Sequence, residues 1–311
     1  MSSFAIMKLT YTKDLTSEIT EHARLAVLSQ RFALRVLFGH KDAVSFIDNS
    51  IASYMRVLLS TTEDRLWQES VYPTEPVFSN AAAQLMYQQV NSLQLFLSCL
   101  NTKILSGLID AGVLGELISR LLILISRDWA AIITHCIEVD GPKPDLLPSA
   151  YRSPPFPSSS DHQYFPYLKP VHLLDVLNIL FGYQWSPGHP QAEEIKSTFA
   201  RAYISASHWL TMTRDVGLLP VKTTAEEWLK SLFLRGVAIQ CRHDQPLIDK
   251  VIPILFLNES GQYDGMSCCL IQDKNRSRTI PLALRMIDIG DKSIGLKTVK
   301  PYVAICFNFV P

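Results

Sequence analysis

Apolar residues recur with a helical period through the first half of the chain. Leu25, Leu28, Phe32, Val36 and Leu37 stand about one turn apart, and Ala43, Ile47, Ile51, Tyr54, Met55 and Leu58 repeat the pattern. Such spacing predicts two amphipathic helices. Ser79 follows Pro76 and precedes Asn80-Ala81-Ala82-Ala83, which predicts an N-cap and a helix running to about Leu100. Another helix is expected from Gly112 to Ile137, with Leu117, Arg120, Leu121 and Leu124 on one face. Gly141 to Asp161 then holds six prolines among several serines, the composition of a linker or exposed loop. Helical patterning resumes at Val171–Phe181 and stops at Gly182. Ala192–Met212, with Phe199, Tyr203, His208 and Trp209 on its stripes, reads as one more helix.

The period changes after residue 222. Thr223 or Thr224 can cap a helix with Glu226 and Glu227 in its first turn, a capping-box arrangement. That helix carries Trp228, Leu229, Leu232 and Phe233. Beyond Gly236 come strand-like runs at Val237–Arg242, Val251–Leu257 and Met266–Asp273, with a turn over Asn258–Gly265 and a last run at Tyr302–Phe309. The expected fold class is α+β. A helical region covers 1–140, a Pro/Ser-rich linker or loop 141–170, a second helical region 171–221, and a small α/β module with a central mixed sheet 222–311.

Composition narrows the picture. At 311 residues the chain is long enough for two domains. Lys+Arg and Asp+Glu both number 29, so zero net charge leaves no electrostatic footprint for nucleic acid. The six cysteines form no C-x-x-C pair, and a reduced, intracellular protein of cytoplasm or nucleus is expected. The N-terminus lacks signal-peptide patterning. Arg120, Arg127 and Asp128 interrupt the most apolar run, Leu117 to Ile133, so no membrane partner is expected. Neither a phosphate-loop motif nor a G-x-G-x-x-G is present.

One constellation carries candidate chemistry. Asp249 stands at the start of a strand, and Gln272 and Lys274 at the end of the next. Strand period two puts Gln272 and Lys274 on one face and turns Asp273 to the other. If the strands pair as a hairpin, Asp249 and Gln272 meet at one edge. Mg²⁺ prefers hard oxygen ligands and takes one or two carboxylates from a protein. Asp249 and Gln272 are therefore candidate metal ligands, and Lys274 a candidate to stabilise a charged phosphoryl transition state. Glu226 or Glu227 is the candidate further carboxylate. Arg276 and Arg278 are candidate phosphate contacts. His243, close to Asp244 and Asp249, is a weaker metal candidate. The same residues also fit a plainer account, a strand start bonding local backbone and a solvated basic turn.

Helix, strand, Asp, then a strand ending in (D/E/Q)-x-K resembles the PD-(D/E)XK nuclease superfamily, the restriction-endonuclease-like fold, over residues 222–311. More narrowly, Gly236-Val-Ala-Ile-Gln-Cys, Gln245-Pro-Leu-Ile-Asp-Lys-Val-Ile-Pro and Ser267-Cys-Cys-Leu-Ile-Gln-Asp-Lys-Asn resemble families expanded in fungal genomes. Tyr72-Pro-Thr-Glu-Pro-Val and Gly115-Glu-Leu-Ile-Ser-Arg-Leu-Leu add to that likeness. The resemblance implies a Mg²⁺-dependent hydrolase of phosphodiester bonds in DNA or RNA. It casts Asp249 as metal-binding aspartate, Gln272 as second ligand, Lys274 as catalytic lysine, and Glu226 or Glu227 as helix glutamate. Gln272 is neutral where most members carry an acid, which implies weaker metal affinity. The chain stops soon after Phe309, which implies an incomplete module. A nuclease fold without the chemistry, serving as an interaction scaffold, is the competing expectation, and a helical adaptor with unrelated strands is the third.

Overall fold

The computed structural model describes residues 2–11, 19–37, 39–64, 68–73, 75–89, 91–112, 115–140, 167, 169–182, 190–212, 220, 222–242, 248–275, 295–296 and 298–309. The proline-rich segment 141–161, His243, Arg276 and Arg278 lie outside them. The chain divides into two compact units at Gly112, whereas the sequence pattern placed segment limits at 140, 170 and 221.

The first unit is mainly helical. Its elements are α1 (Ser2–Thr10), α2 (Glu21–Phe32), α3 (Ala43–Ser53), β1 (Val57–Thr61), β2 (Gln68–Val71), α4 (Pro76–Met86) and α5 (Ser92–Leu105). Thr20 caps α2 by accepting from the Ala23 amide at 3.2 Å. Two expectations change here. The helix predicted through Leu58 ends at Ser53, because Met55 turns left-handed at φ 64° and Val57 enters an antiparallel ribbon with β2. The helix predicted from Ser79 to Leu100 is two helices broken at Tyr87–Asn91. It starts at Pro76, whose missing amide suits a first helical position.

The second unit contains α6 (Glu116–Asp140), β3 (Val171–His172), α7 (Leu173–Phe181), α8 (Pro190–Thr198), β4 (Ala202–Ile204), β5 (His208–Thr211), α9 (Ala225–Leu234), β6 (Val237–Gln240), β7 (Lys250–Leu257), β8 (Tyr263–Asn275) and β9 (Val303–Phe309). The helix expected over Ala192–Met212 is α8 followed by two short strands. Tyr203 and Trp209 are therefore strand residues.

Among the described residues a mixed seven-stranded sheet organises this unit, and the fold class is α+β. β7 is its centre. One edge of β7 pairs with β8 along its whole length. The other edge is shared: Ile239 and Gln240 of β6 pair at its start, and Ala202 and Tyr203 of β4 near its end. β9 adds to β8 in parallel, and β5 to β6 in parallel.

Side-chain alternation gives the sheet two apolar faces. Val251, Met266, Cys268 and Leu270 pack with Trp228, Leu229, Leu232 and Phe233 of α9. Ile252, Cys269 and Ile305 point the other way, toward Ile123 of α6 and Val176 and Leu177 of α7. Trp209 Nε1 also donates to Arg120 O of α6 at 3.2 Å. Helix α6 thus completes the core of the sheet unit.

Candidate functional site

Asp249 sits just before β7. Its amide donates to Ile271 O at 2.8 Å, and its carbonyl accepts from the Cys241 amide at 2.7 Å and from Gln240 Nε2 at 3.0 Å. The β7–β8 register pairs Lys250 with Ile271. Continued by one residue, it sets Asp249 opposite Gln272. The strands do pair as a hairpin, the condition on which the meeting of Asp249 and Gln272 depended, and alternation gives Asp249, Gln272 and Lys274 a common face.

The Asp249 carboxylate is half committed. Oδ2 accepts from the Asp273 amide at 2.7 Å, while Oδ1 accepts no hydrogen bond among the described residues. Burial raises the Asp249 carboxyl above the usual carboxylate range. The amide bond from Asp273 works against that shift, and the negative charges of Asp273 and Glu116 add to it. Neither the Gln272 amide nor the Lys274 ammonium forms a hydrogen bond or ion pair among the described residues. One carboxylate oxygen, one amide and one ammonium are thus uncommitted along one strand edge.

Directly behind them, on the opposite face, lies a buried ion pair. Lys250 Nζ donates to Asp273 Oδ2, and both side chains are fully enclosed. Burial lowers the Lys250 ammonium pKa, and Asp273 opposes that shift; Arg120 of α6 adds to the lowering. Sequence reading turned Asp273 away from the site correctly, but it missed that Lys250 receives it. It also missed Glu116 and Arg120, which act on Asp249 and Lys250 from the first turns of α6. Their signal was present in the Gly115-Glu-Leu-Ile-Ser-Arg segment. Gly115, at φ 79°, is packed so closely that a Cβ there would lie 2.6 Å from the Phe309 ring. This brings the α6 N-terminus to the end of β9, beside the last residues of β8.

The two α9 glutamates are engaged elsewhere. Glu227 Oε2 accepts from the Thr224 amide at 3.0 Å and from Thr224 Oγ1 at 2.8 Å, closing the capping box. Those bonds hold its carboxyl below the usual range. Glu226 Oε1 accepts from the Tyr263 hydroxyl. Tyr263 begins β8 and Gln272 lies nine positions on, roughly 30 Å of strand at about 3.3 Å per residue. The structure therefore brings Asp249 and Gln272 together with Lys274 and leaves Glu226 and Glu227 at the other end. Among the described residues, no three His, Cys, Asp or Glu side chains form a metal-binding group.

Residues 14–134 match a family described as a domain of unknown function (DUF8736). The match covers α2 to α5 and most of α6. No curated protein matches the chain, and no solved structure does. Among the described residues, no helix is long and apolar enough to cross a membrane.

Proposed function

We propose that the module over 222–311 is a metal-dependent, nuclease-like hydrolase of phosphodiester bonds in DNA or RNA, acting inside the cell. The carrying observation is the β7–β8 register, which sets Asp249 opposite Gln272 with Lys274 on the same face. A divalent ion of the Mg²⁺ type fits the donor chemistry: one free carboxylate oxygen and one free amide oxygen, with water and phosphate left to fill the shell. Asp249 and Gln272 would hold it, and the ion would supply Lewis acidity toward a phosphoryl oxygen. Asp273 orients Asp249 through its amide. Lys274 offers its ammonium to negative charge growing on phosphorus. The elevated Asp249 carboxyl sets a pH dependence. Metal needs the carboxylate form, so affinity falls as pH drops toward the raised pKa and recovers above it.

The test is hydrolysis of labelled DNA and RNA by purified protein with Mg²⁺ or Mn²⁺. Lys274→Ala should lower the rate by about 100-fold or more, and Asp249→Asn should abolish metal dependence. Equal rates in wild type and Lys274→Ala sink this reading.

A second reading has its own support. Glu226 and Glu227 are occupied by Tyr263 and Thr224, and the net charge is zero. Both suit a module that keeps the strand order as an interaction scaffold. Calorimetry with Mn²⁺ separates the two, since a scaffold binds none at Asp249.

A further inference from the structure

Arg56 leads from α3 into β1 in the first unit. The Arg56 amide donates to Ser50 O at 3.2 Å, and only 6% of the residue's surface stays exposed. Nε donates to Ser70 Oγ at 2.7 Å and Nη2 to Ser70 O at 3.0 Å. The guanidinium lies over the Tyr72 ring, 5.2 Å from its centroid. The third nitrogen, Nη1, is buried without a hydrogen bond. No carboxylate pairs with this guanidinium among the described residues, and none figures among the charges acting on it. The Tyr72 hydroxyl lies beside Ser50 and Arg56, which act on it as hydrogen-bonding neighbours, but it completes no hydrogen bond of good geometry.

An enclosed guanidinium without a counter-charge is costly to hold. Burial accordingly pushes Arg56 below its usual range and the Tyr72 hydroxyl above its own. Arg56 Nη1 and the Tyr72 hydroxyl can both donate, neither has an acceptor at good geometry, and a bound anion would accept from both. Arg56 precedes and Tyr72 follows the β1–β2 ribbon, and β2 carries Ser70, to which Arg56 donates. All five β1 residues are exposed, and the pairing slips between Leu58 and Ser60. A two-stranded ribbon is marginal by itself, so it opens at lower cost than the helices around it.

We propose that Arg56 and Tyr72 form a binding site for a small oxyanion, a carboxylate or phosphate group, reached by opening of the β1–β2 ribbon. The site lies within the DUF8736 match and is independent of the reading offered for the sheet unit. The test uses the full chain with potassium phosphate, sodium acetate or potassium chloride at matched ionic strength, followed by thermal melting and amide exchange. Phosphate or acetate should raise the melting temperature above the chloride arm. It should also slow exchange at Val57–Thr61 and Gln68–Val71 by about tenfold. A response to phosphate alone assigns a phosphate group, and one to acetate assigns a carboxylate. Arg56→Met should abolish the response and Tyr72→Phe should weaken it. If Arg56→Met does not fold, Tyr72→Phe alone decides. No oxyanion-specific response in the wild type, or an undiminished one in Tyr72→Phe, overturns the proposal.

Discussion

Two neighbouring residues, Asp249 and Lys250, set the terms at the smallest scale. Asp249 is held partly buried with its carboxyl raised. A raised acid binds more protons folded than unfolded, so it costs stability as pH climbs through the raised pKa. Asp249→Asn keeps an oxygen for the Asp273 amide and removes that cost. The variant should melt higher than wild type at pH 7, and the difference should shrink toward pH 4, in paired calorimetric scans. A lower melting temperature at pH 7 would mean that the charge itself is stabilising. Lys250 and Asp273 behave differently, because each neutralises the other where both side chains are fully buried. Lys250→Met strands a buried carboxylate and should cost about 3–5 kcal/mol. Lys250→Met combined with Asp273→Leu should recover most of that loss, measured by urea unfolding. If the double variant is no better than the single one, the pair is not the unit of stability described.

At the scale of elements, the ends of helices matter most. Thr224→Ala opens the capping box on α9 and should cost about 1 kcal/mol. Because Glu227 serves that box and Glu226 serves Tyr263, Glu226→Gln should leave hydrolysis within about twofold of wild type. A large drop would return α9 to the site. Gly115→Ala should be far more harmful than its size implies. It forces a left-handed alanine and drives a Cβ into the Phe309 ring, a cost of about 2 kcal/mol or more. The α9 cap and the β7 and β8 patterns were legible in sequence because each is a local signal, a side chain meeting its own helix end or a period of two. The strands over 202–211 were not. A strand of three or four residues is too short to display a period, and Phe199 and Tyr203 happen to stand one helical turn apart. The β1 strand failed for another reason: every one of its residues is exposed, so it has no buried face to alternate with.

For the whole molecule, the division at Gly112 makes α6 part of the sheet unit. A fragment starting at residue 113 should unfold cooperatively in a chemical melt. A fragment starting at 141 loses Leu117, Ile123 and Leu124, all buried, and the helix that covers one face of β7 and β8. It should be unfolded or aggregated by circular dichroism and gel filtration. Independent folding of the shorter fragment would restore the boundary that the proline-rich segment suggested.

The order Asp249, Gln272, Lys274, the turn between their two strands and the exclusion of Asp273 from the face of Gln272 and Lys274 were determined by the sequence alone, because strand period and turn chemistry are local; that the two strands pair was settled by the structure. Tertiary structure alone decided that β7 divides one edge between β4 and β6. It also matched Asp273 to Lys250, gave Glu226 to Tyr263, and delivered Glu116 and Arg120 to the site from more than a hundred residues away. Each of these depends on which distant surfaces bury one another, and no spacing along the chain encodes that choice.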